Sequence, residues 1–224
     1  MLSRLLTTEY RRLEPSFESV PLTFGETIYK SKDEIDYVYF PESGVLSVVT
    51  NVATKPIEIG LIGSEGLAGL PLFLGMVRSA NDVTVQGEGT AVRIAAKQVL
   101  AEFRQGDAFH DRVLLFAHDL FLQISQITSC NRHHDVKQRL SRWLLMMRDR
   151  VPHDTLGLTQ EFLSRRLGVL SQAVSQAAMA LQDAGAIKYS RGVVTITSRK
   201  TLEQSTCPCY QLMRARANGH LRFF

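Results

Sequence analysis

The chain has 224 residues, enough for one large domain or two small ones, and its 45% hydrophobic content is ordinary for a globular protein. Three cysteines, Cys130, Cys207 and Cys209, are too few and too late for a disulfide scaffold and point to reduced thiols. The net charge of +4 hides an asymmetry: residues 1–130 hold 11 Lys/Arg against 16 Asp/Glu, whereas residues 131–224 hold 15 against 6, so a basic C-terminal part suited to a polyanion follows an acidic one.

Leu2 to Leu13 reads as a short helix with Leu2, Leu5, Leu6 and Leu13 near one face. Charges at Arg4, Glu9, Arg11 and Arg12 distinguish this start from a signal peptide. No continuous apolar run approaches the roughly 20 residues of a membrane span, so no membrane association and a cytoplasmic location are expected. From Val20 to Ile94 the pattern turns to short β-rich runs cut by Gly and Pro: Tyr37–Phe40, Val45–Thr50, Ile57–Ile62, Val83–Val85 and Ala91–Ile94. Such spacing predicts a small antiparallel barrel or sandwich.

Ala95 to Arg104 reads as helix and Gly106 breaks it. A long helix is then expected from about Ala108 to about Ser129. Val113, Ala117, Leu120, Ile124 and Ile127 repeat at spacings of four and three, one helical stripe, with Leu114, Leu115, Phe121 and Leu122 mostly off it. A helix apolar on two faces must bury both. One can cover the β-domain, and the stripe is assigned to a second copy of the chain, as in a coiled coil. A fully internal helix of a monomer is the alternative. Asn131–Asp135 is the expected polar hinge, and Val136 to Val151 resumes helix until Pro152 stops it.

Leu158 to Ile196 carries the most information. Thr159 can cap a short helix Gln160–Leu167, Gly168 supplies the turn, Ser171 can cap a second helix Gln172–Ala184, and Gly185 ends it. Two helices that cross closely need a small residue at the crossing, a turn residue tolerating positive φ, and an aliphatic anchor. Ser164, Gly168 and Val174 meet those needs at separations of four and six. Ile187–Ser190 and Val193–Ile196 around Arg191-Gly192 read as a β-hairpin wing. The polar residues in the first turns of the second helix, Ser171, Gln172, Ser175 and Gln176, are the candidate base contacts. Gln bonds adenine bidentately and Ser serves any base. Thr159, Gln160, Arg165, Arg166, Lys188 and Arg191 are the candidate phosphate contacts, which orient without specifying sequence. A helical hairpin that docks proteins is the alternative reading of this segment.

At these residues the chain resembles the Crp/Fnr family of transcription regulators. The resemblance is strongest over Leu158-Thr-Gln-Glu-Phe-Leu-Ser-Arg-Arg-Leu-Gly-Val-Leu-Ser-Gln-Ala-Val-Ser-Gln176 and Gly185–Gly192, with Arg139-Leu140 before Trp143 in support. It implies an α+β protein: an N-terminal antiparallel, jelly-roll-like β-roll sensor over 1–107, a dimerisation helix and hinge over 108–131, and a winged helix-turn-helix over 132–224. It also implies a homodimer that reads a near-palindromic site on double-stranded DNA, contacts RNA polymerase, and is not an enzyme. No Ser-His-Asp arrangement, paired carboxylates or phosphate-cradling Gly loop stands against that. In nucleotide-binding members of the family a Gly-Glu pair holds the ribose, an Arg-Ser pair the phosphate, and a polar residue on the long helix the base. Arg78-Ser79 fits the second. Gly69 stands where the Glu is expected, and Ile124, beside Ser125, at a base-reading position. Gly69, Arg78, Ser79, Ile124 and Ser125 are thus the candidate effector pocket, and a different effector, or none, is expected over a cyclic nucleotide. The absence of cysteine before Cys130 and of Cys or His before His110 speaks against the family's iron–sulfur and haem sensors. No metal site is assigned: Cys207-Pro-Cys209, considered with His220, and His133-His134 read as ordinary thiols and hinge polars. An effector-independent regulator and a protein-docking scaffold remain the rival functions.

Overall fold

The computed structural model describes residues 1–2, 5, 7–52 and 55–217. These form two compact units, Met1–Thr50 with Gly60–Phe121, and Asn51–Ile59 with Leu122 onward. This partition cuts the long helix near its middle, whereas the boundaries at 107 and 131 read from the sequence follow turn residues.

The first unit opens with helix α1 (Thr7–Leu13), shorter than the expected Leu2–Leu13. Its position is fixed by polar contacts. Buried Glu9 accepts the backbone N–H of Phe109 at 2.7 Å, and Arg12 clamps Glu102 at 2.6 Å and Asp107 at 2.8 Å. Strands β1 (Glu18–Leu22), β2 (Thr27–Tyr29), β3 (Tyr37–Pro41), β4 (Val45–Val52), β5 (Lys55–Ile62), β6 (Asp82–Gly87) and β7 (Gly89–Ala95) follow, with the end of β4 and the start of β5 assigned to the second unit. They build one sheet of order β1-β7-β3 and another of order β2-β6-β4-β5. β1 and β3 both pair antiparallel with β7, as β2 and β4 do with β6. The two-residue period of the strands turns Val38, Phe40, Leu46, Val85, Val92 and Ile94 into the core between the sheets. Helix α2 (Ala96–Phe103) closes the roll, as the sequence predicts.

Helix α3 (Ala108–His133) runs four residues beyond the expected end. The hinge is therefore narrower than Asn131–Asp135. Asp135 begins helix α4 (Val136–Arg148) through a capping box: its carboxylate accepts from Gln138 N at 2.8 Å while Gln138 Oε1 accepts from Asp135 N at 3.2 Å. The assignment of the α3 stripe to a partner chain needs correction. Val113, Leu120 and Ile127 are buried within the single chain, as is Phe116, and Ala117 and Ile124 are half-buried. The exposed apolar residues are Leu114 (42%), Leu115 (50%) and Phe121 (67%). The most regular apolar stripe goes to the chain's own core because that is the nearest apolar surface. The helix is also long and apolar enough to cross a membrane, with mean hydropathy of 1.2 over 18 residues, although no continuous apolar run signalled it.

The second unit contains α4, strand β8 (Thr155–Gly157), helices α5 (Gln160–Leu167) and α6 (Ser171–Asp183), strands β9 (Ile187–Ser190) and β10 (Val193–Ile196), and helices α7 (Arg199–Gln204) and α8 (Cys209–Ala217). Its sheet has the order β8-β10-β9, so the wing gains a third strand that the sequence did not signal. α4 packs on both α5 and α6. Leu140, Leu144, Leu163, Leu167, Val174, Ala178 and Leu181 form the shared core, all buried.

Candidate nucleic-acid interface and sensor site

Thr159 caps α5 as expected, its Oγ1 accepting Phe162 N at 3.1 Å. Gly168 ends α5 at φ +63°, a conformation in which an L side chain is strained, so the turn into α6 depends on glycine. Helix α6 begins one residue earlier than expected. Ser171 is its first residue rather than its cap, and the cap position is Leu170, with no side-chain cap bond. Val174, Ala177, Ala178 and Leu181 face inward, which leaves Ser171, Gln172 and Gln176 exposed on one polar edge. Ser175 is half-buried, and its hydroxyl donates back to Ser171 O at 3.0 Å, so it presents less to a ligand than its neighbours do. Leu170 is 79% exposed beside this edge, an apolar surface suited to a thymine methyl. Sequence reasoning gave this position no role, because it sought only polar side chains at the start of the second helix.

The wing is fixed against the two helices. Arg191 and Gly192 both take positive φ, +50° and +76°, which closes β9 onto β10 in a two-residue hairpin. Leu158 N donates to Gly192 O at 2.6 Å, Tyr189 Oη donates to Leu158 O at 2.9 Å, and Tyr189 N donates to Gln182 Oε1 at 2.7 Å. Burial raises the Tyr189 phenol above its ordinary pKa and keeps it a donor. A Cβ built on Gly192 would lie 3.3 Å from the Thr159 methyl, so the wing tip and the start of α5 adjoin. Exposed Thr159, Gln160 and Arg191 therefore share one surface, while exposed Lys188 stands further along β9.

The two arginines of α5 separate. Arg165 is exposed and ion-paired with Glu161 one turn away. Arg166 is a correction to the expected phosphate set. Its guanidinium lies 5.0 Å from the Phe162 ring centroid, and burial lowers its pKa, with Glu58 opposing. Arg166 lines a small cavity with Glu58, Trp143, Arg142 and Ile127, where buried Glu58 accepts Trp143 Nε1 at 2.7 Å. Its helical position turns it toward α4, which a linear reading of adjacent arginines could not reveal. Arg139, also lowered by burial, donates to the carbonyl of Leu167 and braces the same turn.

In the first unit the expected phosphate pair is otherwise engaged. Arg78 Nη2 bonds Glu34 at 2.7 Å and its Nη1 bonds Lys32 O at 2.9 Å, while the Ser79 hydroxyl donates to Asn81 O at 2.6 Å. Gly69 has φ +108°, and a Cβ there would lie 3.1 Å from Val38 Cγ2, so this backbone does not readily carry a glutamate at that position. Ile124 and Ser125 belong to the second unit, where Ile124 is half-buried and Ser125 exposed.

A helix-turn-helix with a wing, together with a β-roll, is the architecture of a class of transcription regulators. The profile of the cyclic nucleotide-binding domain matches residues 20–106, and that of the Crp-like helix-turn-helix domain matches residues 138–205. The two together cover more than two thirds of the chain. No curated protein matches it. Among solved structures it is similar to a crp/fnr-family transcriptional regulator from Eubacterium rectale, at 15% identity and a TM-score of 0.71, covering 90% of this chain and 95% of that one. It is also similar to FixK2 from Bradyrhizobium japonicum (13%, TM-score 0.70, 85% and 98% covered). A third is CLP of Xanthomonas campestris, described as a c-di-GMP-responsive global regulator (16%, TM-score 0.68, 86% and 100% covered). The chain belongs to the Crp/Fnr family, whose members are transcription regulators rather than enzymes.

Proposed function

We propose that the protein is a sequence-specific regulator that binds a near-palindromic site on double-stranded DNA as a homodimer in the cytoplasm, where it meets RNA polymerase. One observation carries the reading: Ser171, Gln172 and Gln176 form an exposed polar edge on the first turns of α6, flanked by exposed Thr159, Gln160 and Arg191. The edge reads bases in the major groove and the flanking residues, with Arg165 and Lys188, hold phosphates. The dimer face is the exposed side of α3, where Leu114, Ala117, Phe121, Ile124 and Thr128 follow spacings of three and four, with Leu115 alongside. An apolar surface on a helix in a DNA-binding protein calls for a second copy rather than a membrane.

The β-roll is a sensor whose cyclic-nucleotide site is degenerate. Arg78 already holds Glu34, Ser79 already holds Asn81, and Gly69 offers no carboxylate. An effector of other chemistry shifts the dimer between binding-competent and incompetent forms by its differential affinity for them. The test is in vitro selection from a random duplex library with wild type, Gln172→Ala and Gln176→Ala. Each variant is expected to lose about 1–3 kcal/mol of discrimination at its own position in each half-site. Identical preferences in all three proteins overturn the readout assignment. Failure of the wild type to select any duplex at low salt overturns the function.

A further inference from the structure

We infer that Cys130, His134, Cys207 and Cys209 form a binding site for one zinc ion at the end of the long helix. The sequence separates these residues by up to 79 positions, and the fold brings them together. Cys130 and His134 lie one helical turn apart, with His134 N donating to Cys130 O at 3.0 Å. Cys207 precedes α8 and Cys209 is its first residue, so the Cys-Pro-Cys segment presents both thiols to the end of α3. One ligand atom from each residue lies within 4.8 Å of all the others. Cys130 Sγ is 3.5 Å from Cys207 Sγ, and Cys209 Sγ is 3.6 Å from His134 Nδ1.

Those spacings are the edges of a small tetrahedron. Zinc–sulfur bonds of about 2.3 Å and zinc–nitrogen bonds of about 2.0 Å, at tetrahedral angles, place ligand atoms about 3.5–3.8 Å apart. Three thiolates and one imidazole are a closed structural zinc set, and soft sulfur ligands exclude magnesium and calcium. An iron–sulfur cluster would hold its thiolates further apart, because several metal and sulfide atoms lie between them.

The surroundings suit the charge. All three thiols are buried and unlinked. Zinc with three thiolates and a neutral imidazole carries one net negative charge. The guanidiniums of Arg139 and Arg142, both buried, act electrostatically on Cys130, and the Nε atom of each lacks a hydrogen-bond partner. Gln126 Nε2 lies 3.0 Å from Cys209 Sγ, an outer donor that orients the sulfur. Hydrogen bonds fix the start of α8 beside the site. Buried Tyr210, next to Cys209, donates its hydroxyl to Asp149 at 2.8 Å and accepts from Arg199 at 2.6 Å. Binding releases the thiol protons and ties α8 to the junction of α3 with α4. Among the described residues, the other compact group of possible ligands is already engaged, Glu102 and Asp107 by Arg12 and Glu9 by the backbone N–H of Phe109, and carries no such inference.

The test uses the full chain purified under reducing conditions. Elemental analysis is expected to find about one zinc per chain after desalting. Cobalt exchange is expected to give thiolate charge-transfer and tetrahedral d–d absorption. Cys207→Ser and His134→Ala are each expected to reduce zinc retention at least tenfold. If a variant fails to fold, the wild-type zinc content and cobalt spectrum still decide. Three results overturn the site: a wild type that retains no zinc after reconstitution, a Cys130–Cys207 disulfide in the reduced preparation, or full zinc retention in folded variants.

Discussion

The dimer face can be tested through Phe121. The residue is 67% exposed in the single chain. Taking about 200 Å² for a phenylalanine side chain, about 130 Å² is open to a partner. At about 25 cal/mol per Å², full coverage contributes about 3 kcal/mol per chain, or about 6 kcal/mol across a twofold interface. Phe121→Ala keeps the Cβ and loses roughly two thirds of this, about 4 kcal/mol per dimer. That corresponds to about a thousandfold rise in the dimer dissociation constant. Phe121→Glu is expected to weaken the dimer further, because two like charges would approach across the axis. The assay is sedimentation equilibrium over a wide concentration range, with circular dichroism to confirm that each variant is folded. Val113→Ala serves as a contrast. Val113 is fully buried in its own chain, so its truncation is expected to lower thermal stability while leaving association less affected. If both Phe121 variants dissociate as the wild type does, the exposed side of α3 is not the interface and the reasoning fails.

Arg165→Ala and Arg191→Ala are each expected to weaken binding to all duplexes alike and to reduce the salt slope by about one per dimer arm, measured by fluorescence anisotropy across a salt series. Arg166→Ala is expected to leave that slope nearly unchanged and to lower the melting temperature instead, since its guanidinium packs on Phe162 beside the Glu58 cavity. Gly168→Ala meets open space, so its cost is backbone strain alone, about 1 kcal/mol, seen as a fall of roughly 2–4 °C in melting temperature. Calorimetry with cyclic AMP is expected to show no saturable heat for the wild type or for Glu34→Ala. The variant releases Arg78 yet supplies no carboxylate at Gly69; saturable micromolar binding by either protein would refute the degenerate site.

Local rules made much of the fold legible. The short β-rich runs Tyr37–Phe40 and Ala91–Ile94, the cap at Thr159, the positive-φ turn at Gly168 and the Arg191-Gly192 hairpin are each fixed by a few neighbouring residues, and each took its expected form. β8 was not legible, because three residues without a strong pattern become a strand only through pairing with β10. The end of α3 was also missed: polar Asn131, Arg132 and His133 read as a hinge, yet they continue the helix until Asp135 starts a new one.

The sequence by itself determined most of the short helices, strands and turns, β8 and the end of α3 apart, and which polar residues line the outer edge of α6. These depend on period, capping and φ, which are properties of adjacent residues. Only the tertiary structure decided which side of α3 meets the chain's own core, that Arg166 turns inward while Arg165 stays outside, and that Cys130 and His134 meet Cys207 and Cys209. Those outcomes depend on contacts between residues far apart in the chain, and no local pattern encodes the partner that a given face will find.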